Sequence, residues 1–140
     1  MGLLSMRVSQ GRVVSVLPQA TVLEACQKMN ENKVGSVVVL EGEKLLGIFT
    51  ERDLLNRVGA KGFDIKKTCL REVMTTEVAA VSINDSIQDC FKKMEGARCR
   101  RLPIVEEGKV IGMVTMRDIL EWLMKEIEEE NEQMRRYIQS

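Results

Sequence analysis

A seven-residue phrase occurs twice in the chain, and it constrains the fold more than any other feature. Residues 47–53 read GIFTERD and residues 112–118 read GMVTMRD, 65 positions further on. At the same offset, and without a gap, Met29 matches Met94 and Lys44 matches Lys109. The chain is therefore an internal repeat, and its two halves should adopt the same fold.

Each repeat shows the pattern β-α-β-β-α. In the first repeat, hydrophobic periodicity and capping residues predict a strand over 13–16 and a helix from Thr21 to about Asn32. Strands are predicted over 34–40 and 44–49, with a turn at 41–43 between them, and a second helix from Thr50 to Gly59. In the second, they predict a strand over 78–81, a helix from 85 or 86 to 94, strands over 99–105 and 109–114, and a helix from Thr115. The fold class is α/β (α+β), with helices flanking small mixed sheets.

The predicted boundaries give four segments. Residues 1–60 form repeat 1 with an N-terminal segment, 61–76 form a linker with a short helical turn, 77–120 form repeat 2, and 121–140 extend the last helix. Each half has about 60 residues and would be marginal alone, so the repeats should share a core. The long last helix carries apolar residues beyond that core, which favours packing against a twofold mate.

Charge and composition exclude several functions. Basic and acidic residues number 21 each, so nothing favours nucleic acid or an anionic membrane surface as a partner. The absence of histidine excludes imidazole catalysis and imidazole metal ligation, and no apolar run is long enough to span a membrane. The four cysteines fall in apolar stretches without a C-x-x-C pair. Reduced thiols and a cytoplasmic location are therefore expected.

The repeated phrase admits two interpretations. Thr50 with Asp53, and Thr115 with Asp118, are the residues of a capping box, which would be sufficient for stability alone. A ligand site is the other interpretation, because each phrase follows a strand directly and exposes helix amides at a sheet edge. The repeated arginine favours the ligand site, since a cap does not need a guanidinium and a phosphate does.

Three arginines precede a strand in the second repeat only. Arg98 is interpreted as part of a solvated turn, whereas Arg100 and Arg101 are predicted to contact phosphate because they lack acidic neighbours. The first repeat has Lys33, Gly35 and Ser36 at these positions. Two unequal pockets are therefore expected.

Taken together, these motifs resemble the cystathionine β-synthase (CBS) domain, a module that usually occurs in pairs. The resemblance covers about 12–55 and 77–120 and rests on the strand phrase Leu102-Pro103-Ile104-Val105, the acidic-glycine turn that follows it and the repeated G-x-apolar-apolar-T-x-R-D phrase. It implies two repeats packed with pseudo-twofold symmetry, a disc-like homodimer, and clefts that bind AMP, ADP, ATP, NAD or S-adenosylmethionine.

The resemblance also implies roles for individual residues. Asp53 and Asp118 would bind ribose hydroxyls, and Thr50 and Thr115 would lie near ribose and phosphate. The Asp118 cleft would contain Met113, Thr115, Arg117, Val14, Val34 and Gly35. The Asp53 cleft would contain Ile48, Thr50, Arg52, Ala79, Cys99 and Arg100, and Arg101 would reach phosphate. Repeat 1 lacks the Leu-Pro phrase and the arginine pair, which leaves open whether both clefts are occupied.

The leading functional hypothesis is a regulatory module that binds an adenine nucleotide, senses energy or redox state, and signals to a separate protein. A ligand-free dimerisation scaffold is the first alternative. An enzyme that processes nucleotides is disfavoured, because the chain has no histidine and no Walker-type loop. No catalytic cofactor and no protein metal site is expected; a bound triphosphate could bring Mg²⁺.

Overall fold

The computed structural model describes residues 13–139; the predicted N-terminal segment before Val13, and Ser140, lie outside the described residues. The first repeat contains β1 (Ser15–Val16), α1 (Val22–Asn32), β2 (Ser36–Glu41), β3 (Lys44–Thr50) and α2 (Glu51–Asp53), which continues as a π-helical segment (Leu54–Gly59). The connection contains α3 (Leu70–Val73). The second repeat contains α4 (Ile87–Ala97), β4 (Arg101–Glu106), β5 (Lys109–Thr115) and α5 (Met116–Gln139). The predicted α/β class and the two-repeat pattern are confirmed.

Local sequence explains why α1 and α4 have equivalent ends. The hydroxyl of Thr21 accepts a hydrogen bond from the Glu24 amide, and the hydroxyl of Ser86 accepts one from the Asp89 amide. Both helices end at a residue with left-handed backbone geometry, Lys33 with φ 55° and Arg98 with φ 52°. These caps fix where the following strands begin.

The strands form one five-stranded sheet in the order β1-β2-β3-β5-β4, rather than the separate small sheets that were expected. Two antiparallel hairpins, β2–β3 and β4–β5, meet where Lys44 pairs with Lys109. Beside this pair the Leu45 amide donates to the Gly108 carbonyl at 3.4 Å, and the Val110 amide donates to the Glu43 carbonyl at 3.2 Å. The difference arises because backbone groups at the hairpin ends find partners in the other repeat.

The predicted strand over 78–81 is reduced to a single parallel bridge between Val81 and Ile104. In the first repeat, β1 is held by a 3.0 Å hydrogen bond from the Val38 amide to the Val14 carbonyl. Pro103 occupies the position equivalent to Val38 and has no amide proton, so the corresponding bond cannot form. The Leu-Pro phrase therefore shortens the strand beside it.

The core of residues 13–139 consists of two clusters instead of the single shared core that repeat size predicted. The first cluster joins α1, β2, β3 and the π-helical segment with Leu70, Val73 and Met74 from α3 and the residue after it. The second joins α4, β4, β5 and Ile119 of α5. The connection thus completes the first repeat, which offsets the small size of that repeat alone.

The helix α5 extends well beyond the core, as predicted. Ile119 is buried and Trp122 packs against the second cluster, but Ile127, Met134 and Ile138 are largely exposed. At 1.5 Å per residue, the 24 residues of α5 span about 36 Å. No helix of residues 13–139 is both long and apolar enough to cross a membrane.

Candidate functional site

The two copies of the phrase build the same junction between a strand and a helix. The Asp53 amide donates to the Thr50 hydroxyl, and the Thr50 amide donates to the Asp53 carboxylate, both at 3.1 Å. The equivalent bonds between Thr115 and Asp118 measure 3.0 and 2.9 Å. Both predicted capping boxes are confirmed.

The junctions offer fewer amides to a ligand than the sequence suggested. The first amide of α2, at Glu51, donates to the Gly35 carbonyl at 3.0 Å, and the first amide of α5, at Met116, donates to the Arg100 carbonyl at 2.8 Å. The third amide of each helix is used by the capping box. The second amide, at Arg52 or Arg117, is thus the one among the first three that no residue of 13–139 engages.

The carboxylate of Asp53 is engaged within the protein. Its side chain is buried, and its second oxygen accepts a 3.0 Å hydrogen bond from the Thr75 hydroxyl and lies 3.5 Å from the Arg57 guanidinium. Thr75 is itself fixed, because its amide and carbonyl both pair with Ile48 at 2.9 Å. The connection between the repeats therefore covers the first junction.

Gly47 makes this arrangement possible. A Cβ atom at this position would lie 2.7 Å from the Thr75 carbonyl oxygen and 2.9 Å from the sulfur of Met74. Only a residue without a side chain allows the connection to cross β3 this closely. Close packing thus explains why the first copy of the phrase begins with glycine.

Asp118 is in a different environment. It is partly exposed, and within residues 13–139 its hydrogen bonds are those of the capping box. The position equivalent to Thr75 is Gln10, which lies outside the described residues. Asp118 is therefore more accessible to a ligand than the buried Asp53.

The two repeated arginines also differ. The Arg52 guanidinium donates to the Arg98 carbonyl at 3.1 Å, at the end of α4, and so joins the two repeats. The side chain of Arg117 is 87% exposed, and its ion pair within residues 13–139 is with Glu121 at the surface, at 3.2 Å. An exposed pair of this kind contributes little stability, so the Arg117 guanidinium can be redirected to a ligand at small cost.

The arginine pair lies at the second junction. Arg101 is directly opposite Thr115 across β4 and β5, so the two side chains share one face of the sheet. Arg100, predicted for the Asp53 cleft, has its backbone bonded to Met116 at the second junction. The first junction has Gly35 and Ser36 at these positions.

The remaining predicted residues mostly pack within their own repeats. Val14 and Val34 lie against the first cluster, Ala79 lies against the second, and Met113 is buried opposite Pro103. Cys99 is half-buried, which raises the pKa of its thiol, and the nearby charge of Arg52 lowers this pKa in part. Cys99 follows Arg98, whose carbonyl accepts the hydrogen bond from Arg52, and its place in the Asp53 cleft stays a prediction.

Sequence reasoning missed Thr75 and Arg57 as the residues that engage Asp53. Neither is identical in the two repeats, so the repeat comparison did not mark them. Two shallow surface concavities lie along the distal part of α5, and neither is lined by a junction residue. The described residues also bring together no group of three or more Cys, Asp or Glu side chains that could hold a metal.

Comparison with known proteins decides the family. The family model of the CBS domain matches residues 7–60 and 70–125. The chain belongs to the CBS domain family. CBS domain proteins are commonly regulatory modules that bind ligands, generally ones that contain adenosine. The proposed boundaries of the four segments stay a prediction.

Two relatives illustrate the similarity in sequence. The uncharacterized protein MK0525 of Methanopyrus kandleri is 38% identical over 88% of this chain and 65% of its own length. The CBS domain-containing protein YhcV of Bacillus subtilis is 36% identical over 77% of this chain and 76% of its own length. Because the chain spans less than two thirds of the first relative, the activity of that whole protein does not transfer to it.

Solved structures show the same architecture. The CBS domain NE2398 aligns with a TM-score of 0.73 and 36% identity, over 80% of this chain and 87% of that chain. Hypoxic Response Protein I, solved with two coordinated zinc ions, aligns with a TM-score of 0.73 and 28% identity, over 86% of this chain and 96% of that chain. The pair of CBS repeats is thus a shared fold.

Proposed function

We propose that this CBS domain pair is a regulatory module that binds one adenine nucleotide, at the Asp118 junction, and signals the occupancy of that site to a separate protein. The observation that carries the proposal is the difference between the two repeated carboxylates. Asp53 is buried and engaged by Thr75 and Arg57, whereas Asp118 is partly exposed at its junction. A carboxylate oxygen of this kind can accept hydrogen bonds from ribose hydroxyls.

Charge near the second junction favours a ligand with phosphates. Arg101 shares one face of the sheet with Thr115, and Arg100 is the residue before Arg101. The side chain of Arg117 is exposed at the start of α5. Guanidinium groups bind phosphate oxygens in a bidentate manner, and the second amide of α5, which no residue of 13–139 engages, adds a donor. AMP, ADP, ATP and NAD therefore fit better than S-adenosylmethionine, which has no phosphate. A triphosphate would bring its own Mg²⁺.

The position of the site suggests how occupancy is transmitted. The junction residues Thr115 and Asp118 cap α5, which extends beyond the core. A ligand that binds better to one position of α5 shifts the population of that position by linkage. The proposal includes three further points. The protein forms a homodimer, it is located in the cytoplasm, and it acts on a separate regulated protein.

The first junction is proposed to be structural. Arg52 links it to Arg98, and the connection covers Asp53. The proposal includes no catalysis, since no described residue at either junction pairs a nucleophile with a base.

The deciding experiment is calorimetric titration of the purified protein with AMP, ATP and NAD, with adenosine as a ligand without phosphate. We expect one nucleotide per chain and weaker binding of adenosine. Two nucleotides per chain would contradict the assignment to one junction. The absence of binding by all four compounds would favour the ligand-free scaffold, and release of phosphate from ATP would favour the enzyme.

A further inference from the structure

The two repeats are equivalent at the level of single backbone contacts. Val16 pairs with Val39 in the first repeat, and Val81 pairs with Ile104, at the equivalent positions, in the second. The two hydrogen bonds that join the hairpin ends are equivalent under the same offset. A backbone contact seen in one repeat is therefore expected in the other.

One backbone contact of the first repeat has no equivalent within residues 13–139. The amide and carbonyl of Ile48, on β3, both pair with Thr75 of the connection, at 2.9 Å. The residue equivalent to Ile48 is Met113 on β5, which is buried. Met113 lies opposite Pro103, whose carbonyl accepts from Val81 on the other side, so Pro103 and Met113 form a non-hydrogen-bonded pair. The amide and carbonyl of Met113 thus point away from β4, to an edge where no residue of 13–139 bonds to them.

Gly112 lies on the same edge of β5. At the equivalent Gly47, a Cβ atom would lie 2.7 Å from the carbonyl oxygen of Thr75, which crosses β3 there. Neither Gly47 nor Gly112 has a positive φ, so the backbone conformation does not require glycine at either position. Glycine in a strand interior often marks a close approach of another backbone. A second crossing, over β5, would explain Gly112 as the first explains Gly47.

The edge of β5 needs a partner, because buried backbone amides and carbonyls are almost always paired. We propose that this partner is the chain just before β1, residues 8–10. In the repeat register Gln10 corresponds to Thr75, so its backbone pairs with Met113. The stretch between Gln10 and β1 has the same length as that between Thr75 and the start of the second repeat, so it reaches the edge in the same way.

This contact is weaker than that of the connection. Three apolar side chains anchor the connection to the first cluster: Leu70, Val73 and Met74. Of the equivalent residues, Val8 is apolar and the other two are serines. Because hydrophobic stabilisation increases with the apolar area buried, residues 8–10 are displaced from β5 more easily than the connection is from β3.

The crossing brings a side-chain amide to the second junction. The Thr75 hydroxyl donates to the Asp53 carboxylate at 3.0 Å, and in the equivalent place the Gln10 amide donates to Asp118. One rotatable bond separates the Thr75 hydroxyl from the backbone, whereas three separate the Gln10 amide, which can therefore turn away. The last step rests on the proposed function: ribose hydroxyls displace the Gln10 amide from Asp118, whereas Thr75 stays on Asp53.

A comparison of the two glycines tests the crossing without any ligand. Gly112→Ala should lower the melting temperature by at least about 4 °C, as Gly47→Ala should, because the added methyl group meets a backbone in each case. Gln10→Pro removes the backbone donor of residue 10. In this background most of the effect of Gly112→Ala should disappear, and the effect of Gly47→Ala should remain. A neutral or stabilising Gly112→Ala, or the same effect in both backgrounds, would overturn the crossing.

Amide hydrogen exchange tests the same contact at a single residue. The Met113 amide should be protected in the parent chain and should exchange at least about tenfold faster in Gln10→Pro, whereas the Ile48 amide should not change. Leu3→Pro is the control, because it lies outside residues 8–10. An unprotected Met113 amide in the parent chain, or equal rates in the two proline variants, would overturn the crossing.

Calorimetric titration with AMP tests the displacement of Gln10. Gln10→Ala keeps the backbone donor and loses the side-chain amide, so it should bind AMP at least about threefold tighter, the low end of the effect of one hydrogen bond. Thr75→Val is the matched control in the first repeat and should bind AMP like the parent chain. Unchanged or weaker binding by Gln10→Ala would overturn the displacement. Absence of AMP binding by the parent chain would refute the proposed function, and the two glycines would still decide the crossing.

Discussion

Asp53 and Asp118 occupy equivalent positions of the two repeats, and replacing each by alanine should have opposite consequences for stability and for binding. The substitution Asp53→Ala removes a carboxylate that Thr50, Thr75 and Arg57 all contact. The substitution Asp118→Ala removes a carboxylate whose bonds, within residues 13–139, are those of one cap. The comparison is matched, because chemistry and position in the repeat are the same.

The stability effects follow from the contacts. Loss of a cap costs about 1 kcal/mol, so Asp118→Ala should lower the free energy of unfolding by that amount. Asp53→Ala loses a cap as well, together with about 1.5 kcal/mol for the Thr75 hydrogen bond to a carboxylate. The half-exposed Arg57 adds only about 0.5 kcal/mol. The sum of about 3 kcal/mol should lower the melting temperature by about 12 °C, against about 4 °C for Asp118→Ala.

Binding should change in the reverse order. Losing the charged hydrogen bonds to ribose, at about 1.5–3 kcal/mol, should weaken AMP binding to Asp118→Ala at least tenfold. Asp53→Ala should keep its affinity within about twofold, when both variants are titrated at a temperature where they are folded. Thr75→Val is a further control, since it removes one hydroxyl donor from Asp53 and should leave AMP binding unchanged.

Two results would refute this reasoning. Equal destabilisation by the two alanine variants would show that Thr75 and Arg57 do not stabilise Asp53. Loss of AMP binding in Asp53→Ala, with full affinity in Asp118→Ala, would assign the nucleotide to the first junction. Full affinity in both variants would mean that each aspartate is a cap and nothing more.

Three further predictions concern arginines and a thiol. Arg101→Ala should weaken the binding of ATP about tenfold, because a hydrogen bond to a charged group contributes about 1.5 kcal/mol. The binding of adenosine should hardly change. An equal effect on both ligands, measured by calorimetry, would exclude a phosphate contact. Arg52→Ala removes the hydrogen bond to the Arg98 carbonyl, so amide hydrogen exchange should become faster in the turn after α4. Arg117→Ala is the control and should leave the exchange in that turn unchanged. Similar exchange rates in both variants would contradict a link between the repeats. Burial raises the pKa of the Cys90 thiol from 9.0 to about 11, so the folded protein disfavours the thiolate. The free energy of unfolding, measured by urea denaturation, should therefore fall as pH rises from 9 to 11. The same fall in Cys90→Ala would assign the effect to other groups.

Features that depend on neighbouring residues could be predicted from the sequence. The capping boxes at Thr50 and Thr115 need only a threonine and an aspartate three residues apart, so their geometry is local. The length of α5 follows from the absence of glycine and proline after Thr115. The shortening of the strand before Val81 was also accessible, because Pro103 cannot donate a backbone hydrogen bond.

The unequal environments of the two aspartates could be predicted only in part. The arginine pair before β4 indicated unequal pockets, but the contact between Thr75 and Asp53 joins residues 22 positions apart, and that between Arg52 and Arg98 joins residues 46 positions apart. No periodicity or motif links such residues, because tertiary packing alone brings them together. The pairing of Lys44 with Lys109 has the same origin.

The absence of a side chain at Gly47 suggests how the ligand specificity of a protein built from two repeats can change. A methyl group there would collide with the Thr75 carbonyl, so the crossing segment would have to move and its hydroxyl would leave Asp53. The first carboxylate would then lose its contact with Thr75. One added carbon atom would thus change how accessible the Asp53 carboxylate is to a ligand.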